Sequence, residues 1–570
     1  MELLDSRRLP GANILWERPG AVVDVTARPE LLPGLVEAWK LAARARLDAV
    51  GWTDQDTMVR LSRDGASLAI SAPLDALYAA TEVNESAWAA ACAAVQGEAA
   101  PDLESEAQAL RKEIGEERNP PLLRLRKDAH AHGVAFLSDD DHASIGLGTG
   151  SQTWPVNALP RPVDIDWSRV HDIPCALITG TNGKTTTGRL VAAVATAAGK
   201  VPGTSSTDGV RVGDELVDSG DWSGPGGARL VLRHPKTEVG ILETARGGML
   251  RRGLAVERCE VAAVLNVGDD HLGEWGVGSL AGLAEGKFTV TRAADTVVLN
   301  ADDEHVAARG DALAKPVVWF SLSPDSPRVQ KHLAAGGSAA LLEGDQLIFR
   351  DGTQTEPILP VQDVPVTMGG AARYNIANAL AAAAIARQLG FSLEHIRAGL
   401  RGFQNSVDDN PGRLNRFELG GLTAIVDYAH NPHGFDAVFA LMQQLPAARK
   451  AVLIGQAGDR EDESIRALAR STWEASPDLI VIKEMHNYLR GREPGEVPGI
   501  IEDELRRAGA QEGNFSHAAT ELDAVRDAFR WAQPGDLLML LCQDERARVL
   551  EWIAALQAAH WQPGDALPPL

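Results

Sequence analysis

The sequence is poor in cysteine, in aromatic side chains and in basic residues. Its four cysteines are far apart and form no C-x-x-C pair, which argues against a zinc knuckle or a disulfide framework and is typical of a reducing cytosol. Aromatic residues make up only 5% of the chain, so Ala, Gly and Leu must fill much of the cores. Lys and Arg number 55 against 78 Asp and Glu, a net charge of −23. We therefore expect neither a nucleic acid nor an anionic membrane surface as a partner.

Long apolar runs are also lacking. The first ten residues, MELLDSRRLP, contain no apolar stretch of the kind that a secretory signal needs. The run LLMLLC (537–542) is far shorter than a membrane span. These features predict a cytoplasmic protein. At about 150 residues per domain, the 570 residues predict three or four domains.

Two breaks in composition divide the chain. The stretch WPVNALPRPVD (154–164) carries three prolines, and DDNPG (408–412) follows a helix-rich region, so we predict domains at 1–166, 167–411 and 412–570. The two later segments alternate short apolar runs with helical periodicity, which predicts parallel sheets covered by helices. The predicted fold class is α/β: a mixed α+β N-terminal domain, a central P-loop-type domain with a mostly parallel sheet, and a Rossmann-like C-terminal domain.

A glycine-rich turn follows the strand-like run CALITG (175–180) and opens a helix. It consists of Gly180, Thr181, Asn182, Gly183, Lys184, Thr185 and Thr186. Backbone N–H groups that converge at a helix N-terminus bind phosphate, and glycine lets the backbone come close. Lys184 would add a cation for the β- and γ-phosphates and Thr185 a hydroxyl for Mg²⁺. The loop is shorter than GxxxxGK, because that spacing would require a glycine where Ile178 stands.

The motif GTNGKTTT after a strand resembles the nucleotide loop of the Mur ligases, a family of ATP-dependent amide-forming enzymes that includes folylpolyglutamate synthetases. The resemblance covers most of residues 170–545 and is closest to the ligase half of the cyanophycin synthetases. The similar blocks are STDGV (206–210), LETARGGMLRRGL (242–254), LNVGDDHLG (265–273), VLNADD (298–303), GRLNRF (412–417), VDYAHNP (426–432), GDRED (458–462) and RGREPGE (490–496). An ordered set of this length is more specific than any single motif.

The resemblance implies a magnesium site beside the loop. Glu243, at the end of an apolar strand, and His271 would be Mg²⁺ ligands, with Asp270 as a weaker companion. Lys287 would be carbamylated by CO₂, which turns an ammonium into an anionic oxygen ligand. Each residue also has an ordinary interpretation: a solvated strand-end glutamate, a packed or surface histidine, or a solvated helix lysine.

The resemblance also implies the contacts to ATP. Asn375 and Asn378 resemble an N-x-x-N element that hydrogen-bonds the nucleotide base, although asparagine at a helix start is otherwise an N-cap. Arg413 would face phosphate and Asp427 would face the ribose. The neighbouring residues of the YAHNP block, His430 and Asn431, would shape the same edge.

The reaction implied by the resemblance is carboxylate activation. ATP would convert the acid into an acyl phosphate with release of ADP, and the amine of an amino acid would then attack. The partners would be an amino acid and a peptide-like carboxylate. Arg490 and Arg492 are candidates to grip a carboxylate, and Glu484 and Glu496 to read a cationic group; an ordinary charged surface loop is the alternative. The oligomeric state stays open, a homo-oligomer included.

The first segment differs from the cyanophycin synthetase pattern. The stretch HGVAFLSDDDHASIGLGTGSQTWPV (132–156) resembles the region before the ATP-grasp module of those enzymes, yet the linker and the phosphate loop follow directly. We therefore expect no ATP-grasp core, one type of amide bond, and a first segment that docks the carboxylate substrate. Two alternatives remain: a family member with a folate or cell-wall-like peptide substrate, and a nucleotide-binding scaffold or regulator that has lost turnover.

Overall fold

The computed structural model describes residues 1–62, 65–270 and 274–569, which form four β-sheets and the helices packed on them. In the first segment an antiparallel sheet of order β1-β2-β4-β3 is followed by a small antiparallel sheet of order β5-β6-β7. The elements are β1 (Glu2–Leu9), β2 (Gly20–Thr26), α1 (Leu32–Ala49), β3 (Thr57–Leu61), β4 (Gly65–Ser71), α2 (Leu77–Gln96), α3 (Leu103–Glu117), α4 (Pro120–Ala131), β5 (Phe136–Ser138), β6 (His142–Ile145) and β7 (Gln152–Pro155).

Both faces of the first sheet are covered. Helices α1 and α2 pack on one face, where the buried Trp39 indole donates a hydrogen bond to Asn84 Oδ1 at 3.0 Å. On the other face Val22 of β2 packs with Leu15 and Trp16 of the β1–β2 connection. The strand interiors β2 and β4 are accordingly buried along nearly their whole length.

The central segment forms an eleven-stranded sheet of order β11-β10-β9-β12-β8-β13-β14-β15-β16-β17-β18. The elements are β8 (Cys175–Thr179), α5 (Lys184–Ala197), β9 (Pro202–Ser206), β10 (Gly209–Val212), β11 (Glu215–Ser219), α6 (Pro225–Arg233), β12 (Val239–Glu243), α7 (Arg246–Arg252), β13 (Cys259–Val264), α8 (Leu280–Lys287), β14 (Ala294–Asn300), α9 (Glu304–Gly310), β15 (Val317–Ser321), α10 (Pro327–Ala334), β16 (Ser338–Glu343), β17 (Gln346–Asp351), β18 (Gln354–Pro360), α11 (Arg373–Gln388) and α12 (Leu393–Gly402). Strands β9 to β16 in that order are parallel, and the strands beyond them at either edge are antiparallel.

Composition explains how tightly the central sheet is covered. The alanines of α11 between 379 and 386 are fully buried, because their small side chains let the helix lie close to β13–β16.

Strand β8 lies between two strands that come later in the chain, with β12 on one side and β13 on the other. A crevice opens at the carboxyl edge of a parallel sheet where the strand order reverses in this way, and ligands bind there.

The third segment forms a six-stranded sheet of order β19-β20-β24-β21-β22-β23, in which only the β19–β20 pair is antiparallel. The elements are β19 (Asn415–Leu419), β20 (Leu422–Asp427), α13 (Pro432–Gln444), β21 (Lys450–Ile454), α14 (Asp462–Glu474), β22 (Leu479–Lys483), α15 (Glu496–Arg507), β23 (Phe515–Ala518), α16 (Glu521–Trp531), β24 (Leu537–Leu541) and α17 (Arg546–Ala558). The predicted α/β fold class is confirmed. Within the described residues, no helix combines the length and apolar character that a membrane crossing requires.

Candidate active site

The glycine-rich loop after β8 lies at the carboxyl edge of the central sheet. Gly183 is the N-cap of α5 with φ of +84°, and a Cβ there would stand 2.3 Å from Asn378 Oδ1. Glycine is therefore required both by the backbone conformation and by the neighbouring side chain. The first N–H groups of α5 are left to face the crevice, as an anion site at a helix N-terminus requires.

The end of β13 holds the loop in place. Asn266 Oδ1 accepts from Asn182 N at 2.9 Å, and Asn266 Nδ2 donates to Asn182 O at 3.1 Å. Gly268 N donates to Thr181 Oγ1 at 2.9 Å. The loop is thus preorganised by residues of the LNVGDD block, and sequence reasoning missed the role of Asn266 although it had marked that block.

Lys184, Thr185 and Glu243 converge behind the loop. Lys184 Nζ donates to Gly180 O and Thr181 O, each at 3.0 Å, and lies 3.9 Å from Glu243 Oε1. Thr185 Oγ1 donates to Glu243 Oε2 at 2.8 Å. Glu243 is 4% exposed, and its buried Oε1 accepts no hydrogen bond from the described residues. Burial raises the pKa of Glu243, and the Lys184 ammonium opposes that shift.

These oxygens fit a hydrated Mg²⁺ that arrives with a nucleotide. The unpartnered carboxylate oxygen of Glu243 and the Thr185 hydroxyl are oxygen ligands of the kind that Mg²⁺ prefers. Among the residues that the structure describes, no group of three or more His, Cys, Asp and Glu side chains could hold a metal by itself. Phosphate oxygens and water would have to complete the coordination. The predicted ligand His271 lies outside the described residues.

A cavity of about 370 Å³ extends from the loop between the central and third segments. The predicted nucleotide residues Asn375, Asn378, Arg413 and Asp427 all line it. Asn378 Nδ2 donates to Asn375 Oδ1 at 2.9 Å, which fixes the two amides relative to each other. The Arg413 guanidinium carbon lies 4.2 Å from the centre of the Tyr428 ring.

The Asp427 carboxylate is held by main-chain donors. It accepts from Leu414 N at 2.9 Å and from Ala429 N at 2.8 Å. Burial raises the pKa of Asp427, while Arg413 and these backbone donors act in the opposite direction. Each carboxylate oxygen can accept more than one hydrogen bond, so the group retains capacity for a ligand hydroxyl.

A second cavity, of about 940 Å³, lies on the other side of the loop and is walled by all three segments. Its charged lining residues include Asp5 and Asp24 of the first segment and Arg246, Arg251 and Lys287 of the central segment. The third segment contributes Tyr428 and His430 to the same cavity. Acidic and basic groups therefore both line a space that adjoins the phosphate loop.

Lys287 is a buried cation in this cavity. It is 4% exposed and makes no hydrogen bond or ion pair with the described residues. Burial lowers the pKa of Lys287 to about 7, and the nearby Lys184 and Arg246 add to the shift, while Asp270 opposes it. The depressed pKa therefore favours the neutral amine far more than the pKa of an exposed lysine does. Burial also lowers the pKa of His430, to about 4, so that this imidazole is neutral in the same range.

The four charged residues predicted to bind the amino acid stand apart from both cavities. Arg492 donates from Nε to Gly458 O at 2.8 Å, from Nη1 to Glu496 Oε1 at 2.7 Å, and from Nη2 to Arg460 O and Asp462 Oδ1, each at 2.8 Å. Glu484 accepts from Met485 N and Gly495 N at 3.0 and 2.6 Å. These three side chains therefore brace the loop between β22 and α15.

Arg490 is the more exposed of the two arginines. It pairs with Asp459 and lies 5.1 Å from the centre of the Tyr488 ring.

Of the remaining predicted residues, Asp270 accepts from Arg460 Nη2 at 2.8 Å. Asn431 caps α13 through Gly434 N at 2.9 Å and exchanges two 3.0 Å hydrogen bonds with the Asn182 amide, so it joins the third segment directly to the phosphate loop.

Two protein-family models match the central and third segments. A model described as Mur ligase middle domain matches residues 178–386, and one described as Mur ligase, glutamate ligase domain, matches residues 412–542. The chain is 40% identical to the cyanophycin synthetase of Trichormus variabilis over 372 residues, which cover 65% of this chain and 41% of that protein. It is 29% identical to the UDP-N-acetylmuramoyl-L-alanyl-D-glutamate–2,6-diaminopimelate ligase of Geobacter metallireducens over 394 residues, 65% of this chain and 73% of that one.

The fold likewise matches a solved structure. E. coli FolC in complex with ADP, without folate substrate, superposes with a TM-score of 0.51 at 20% identity and covers 68% of this chain and 90% of that chain. The chain spans about two fifths of the length of the curated cyanophycin synthetases it matches. The two family models together match more than half of the chain, and they confirm the resemblance predicted from the motifs. Residues 178–386 and 412–542 are Mur ligase domains, and through them this chain belongs to the Mur ligase family.

Proposed function

We propose that this chain is an ATP-dependent, ADP-forming ligase that joins a carboxylate to the amine of an amino acid. The observation that carries the proposal is the meeting of two cavities at the phosphate loop. Thr181, Lys184 and Tyr428 line both the cavity that contains the predicted nucleotide residues and the cavity walled by all three segments. A phosphoryl group could therefore pass from a donor in one space to an acceptor in the other without crossing bulk water.

ATP is the proposed occupant of the smaller cavity. The N-terminus of α5 and Lys184 face the position where a phosphate chain would lie, and Asn378 and Asp427, which line the same cavity, are the proposed contacts for the base and the ribose. The solved FolC structure contains ADP, and its fold is shared by this chain. Mg²⁺, held by Glu243 and Thr185 together with phosphate oxygens, would neutralise charge on the transferring group.

We propose that Lys287 acts as a carbamate. A neutral lysine amine attacks the carbon of CO₂, and loss of one proton gives an anionic N-carboxylate. The buried, unpaired amine with a pKa of about 7 supports this step, because a large part of it is neutral at physiological pH. Together with Glu243 and His271 the carbamate would complete the oxygen- and nitrogen-donor set beside the phosphates.

The chemistry proceeds in two displacements. A substrate carboxylate oxygen attacks the γ-phosphorus of ATP, and the bond from that phosphorus to the β–γ bridging oxygen breaks. The products of this step are ADP, which is the leaving group, and an acyl phosphate. The amine then attacks the acyl carbon, loses a proton, and expels inorganic phosphate as the amide forms. Lys184 and the α5 N-terminus stabilise the charge on the transferring phosphoryl group. The Asn182–Asn431 bridge closes the third segment over the loop and limits hydrolysis of the acyl phosphate.

The relatives and the larger cavity support a proposal for the substrates. We propose a cyanophycin-like or other peptide carboxylate, docked by the first segment at 1–166, with the central domain at 167–411 and the third at 412–570 carrying the chemistry. The cavity is lined by both acidic and basic side chains, which suits a peptide that carries charges of both signs. Arg490 lies outside both cavities, on the loop that Arg492 and Glu496 brace, and we propose that its exposed guanidinium contacts the amino acid as it approaches from solvent.

The test is phosphate release from Mg·ATP across a panel of amino acids and peptide carboxylates, with the product identified by mass spectrometry. We expect release that depends on both an acid and an amine, with one amide formed per ADP. The Lys184→Ala variant is the matched negative control. ATP binding without turnover on any substrate pair would instead favour the scaffold alternative. Incorporation of both aspartate and arginine into polymer by the purified chain would contradict a single type of amide bond.

A further inference from the structure

Three arginines surround one aspartate where the central and third segments meet. We call Arg189, Asp208, Arg413 and Arg546 the arginine cluster. Arg189 and Asp208 belong to the central segment, whereas Arg413 and Arg546 belong to the third. The cluster borders the phosphate end of the nucleotide cavity, which Arg413 lines.

Asp208 is shared between the two segments. Its Oδ2 accepts from Arg189 Nη2 at 2.9 Å, and its Oδ1 accepts from Arg546 Nη2 at 2.6 Å. The Asp208 side chain is only 10% exposed. Arg189 Nη1 also donates to Asn410 Oδ1 at 3.0 Å, in the connection between the segments. A single carboxylate thus ties α5 of the central segment to the start of α17 in the third.

Arg413 differs from the other two arginines. Its guanidinium makes no hydrogen bond or ion pair with the described residues, whereas Arg189 and Arg546 both pair with Asp208. Nη1 of Arg413 is buried without a partner, as is Nη1 of Arg546. It lies over the face of Tyr428, and the Arg546 guanidinium carbon lies 5.0 Å from the centre of the same ring. Burial acts to raise the pKa of Asp208, but the charges of Arg413, Arg546 and Arg189 outweigh it and hold that pKa below its usual value. Like charges this close repel unless an anion lies among them, and Asp208 supplies one such charge.

The loop that carries Arg546 is fixed from behind. The buried Glu521 carboxylate accepts from the backbone N–H groups of Gln543, Asp544 and Glu545 at 2.8, 3.0 and 2.9 Å. Gln543 Nε2 donates to Ala429 O, next to Tyr428. One buried network therefore sets the positions of both Arg546 and the Tyr428 loop.

Resting on the proposed function, we infer that Asp208 and Arg546 are positioning residues for the terminal phosphate of ATP. Their ion pair latches the third segment against the central segment. Because Asp208 is occupied by Arg189 and Arg546, the donors of Arg413 remain available for a phosphate that lies between the segments. ATP carries this terminal phosphate and ADP lacks it. Loss of the ion pair should therefore lower the affinity for ATP more than the affinity for ADP.

The test compares ATP and ADP binding by calorimetry in the full chain, using Asp208→Asn and Arg546→Met. Matched controls are Asp218→Asn, on the exposed strand β11, and Arg548→Met, whose exposed side chain pairs with Glu545. We expect the two latch variants to lose on the order of tenfold in ATP affinity and in kcat/KM, with ADP affinity changed by less than twofold. The controls should match wild type for both nucleotides.

Two further variants keep the inference testable if Asp208→Asn or Arg546→Met unfolds the chain. Arg546→Lys and Asp208→Glu retain the opposite charges, and each should recover part of the ATP affinity. The double variant Asp208→Asn/Arg546→Met should bind ATP with an affinity no lower than that of the single variant with the lower ATP affinity, because the two residues act through one contact. Equal loss of ATP and ADP affinity, or unchanged ATP affinity, overturns the latch. Failure of wild-type chain to bind ATP overturns the proposed function and the latch together.

Discussion

The phosphate loop region and the loop between β22 and α15 both present charged side chains that the sequence predicted to bind ligands, yet they differ in what those side chains already contact. Around the phosphate loop, Glu243 Oε1 and Arg413 Nη1 are buried without hydrogen-bond partners in the described residues. In the second loop, Arg492 donates to four protein acceptors and Glu484 accepts from two backbone N–H groups.

The difference shows that residue type does not by itself make a binding group. Buried polar groups are normally paired, so an unpaired one is an exception that calls for a partner such as a ligand. An arginine whose donors are all engaged by the protein would have to break those bonds before it could hold a substrate carboxylate. The four predictions below test this contrast, from the largest expected effect to the smallest.

Replacing Lys184 by alanine should have the largest effect. We expect kcat to fall at least a hundredfold, because the cation beside the transferring phosphoryl group is lost. The melting temperature should stay close to wild type, since among the described residues Lys184 Nζ contacts two loop carbonyls and lies 3.9 Å from Glu243 Oε1. Lys200→Ala, at an exposed residue paired with Glu238, is the matched control. Retained turnover in the Lys184 variant would contradict its assigned role.

Glu243→Gln should reduce turnover by on the order of a hundredfold and raise the Mg²⁺ concentration needed for activity, because an amide is a weaker ligand than a carboxylate. Without Mg²⁺ the same variant should be more stable than wild type at neutral pH. The folded-state pKa of Glu243 is raised by burial, so its charged form costs stability once the pH exceeds the unfolded value of about 4.3. Thermal unfolding at pH 4 and pH 7 measures this, with the exposed Glu215→Gln as control.

Lys287→Arg should lower turnover by at least tenfold, because arginine stays protonated and forms no carbamate. Wild-type activity should fall when CO₂ is removed and return with bicarbonate. The return should be faster above pH 7 than below it, because the depressed pKa of about 7 leaves the amine mostly neutral only above that value. Turnover and intact mass, which rises by one CO₂ on carbamylation, provide the measurements. Turnover that does not change when CO₂ is removed would contradict the proposal that Lys287 acts as a carbamate.

Arg492→Met and Arg413→Met form the sharpest pair for the comparison. We expect Arg413→Met to raise the KM for ATP on the order of tenfold. Arg492→Met should change every KM by less than threefold and instead lower the melting temperature by a few degrees, since it loses hydrogen bonds that brace a loop. If Arg492→Met instead raised the KM for the amino acid strongly without lowering the melting temperature, the contrast between the two regions would fail.

Much of the fold and part of the site follow from local sequence. The sequence contains the apolar runs VGILE (239–243) and LIVIK (479–483). They coincide with β12 and β22, because buried parallel strands are continuous in apolar character. Glu243 could be placed at the carboxyl edge of the sheet because it ends such a strand beside a glycine-rich turn. The Gly213–Asp214 turn between β10 and β11 was likewise predictable.

Other parts of the site have no local pattern. Asp208 and Arg546 are 338 residues apart, and nothing in their flanking sequence indicates that they pair. The hydrogen bonds that occupy Arg492 come from residues between 458 and 496, which only the packed loops bring together.

The sequence by itself determined the α/β architecture, the phosphate loop and the family, because each depends on periodicity or on a short motif whose chemistry is local. The tertiary structure decided which charged groups retain free hydrogen-bonding capacity, and that the first segment walls a cavity shared with the loop. The physical reason is that hydrogen-bond saturation and burial depend on contacts between distant parts of the chain, which composition and spacing do not specify.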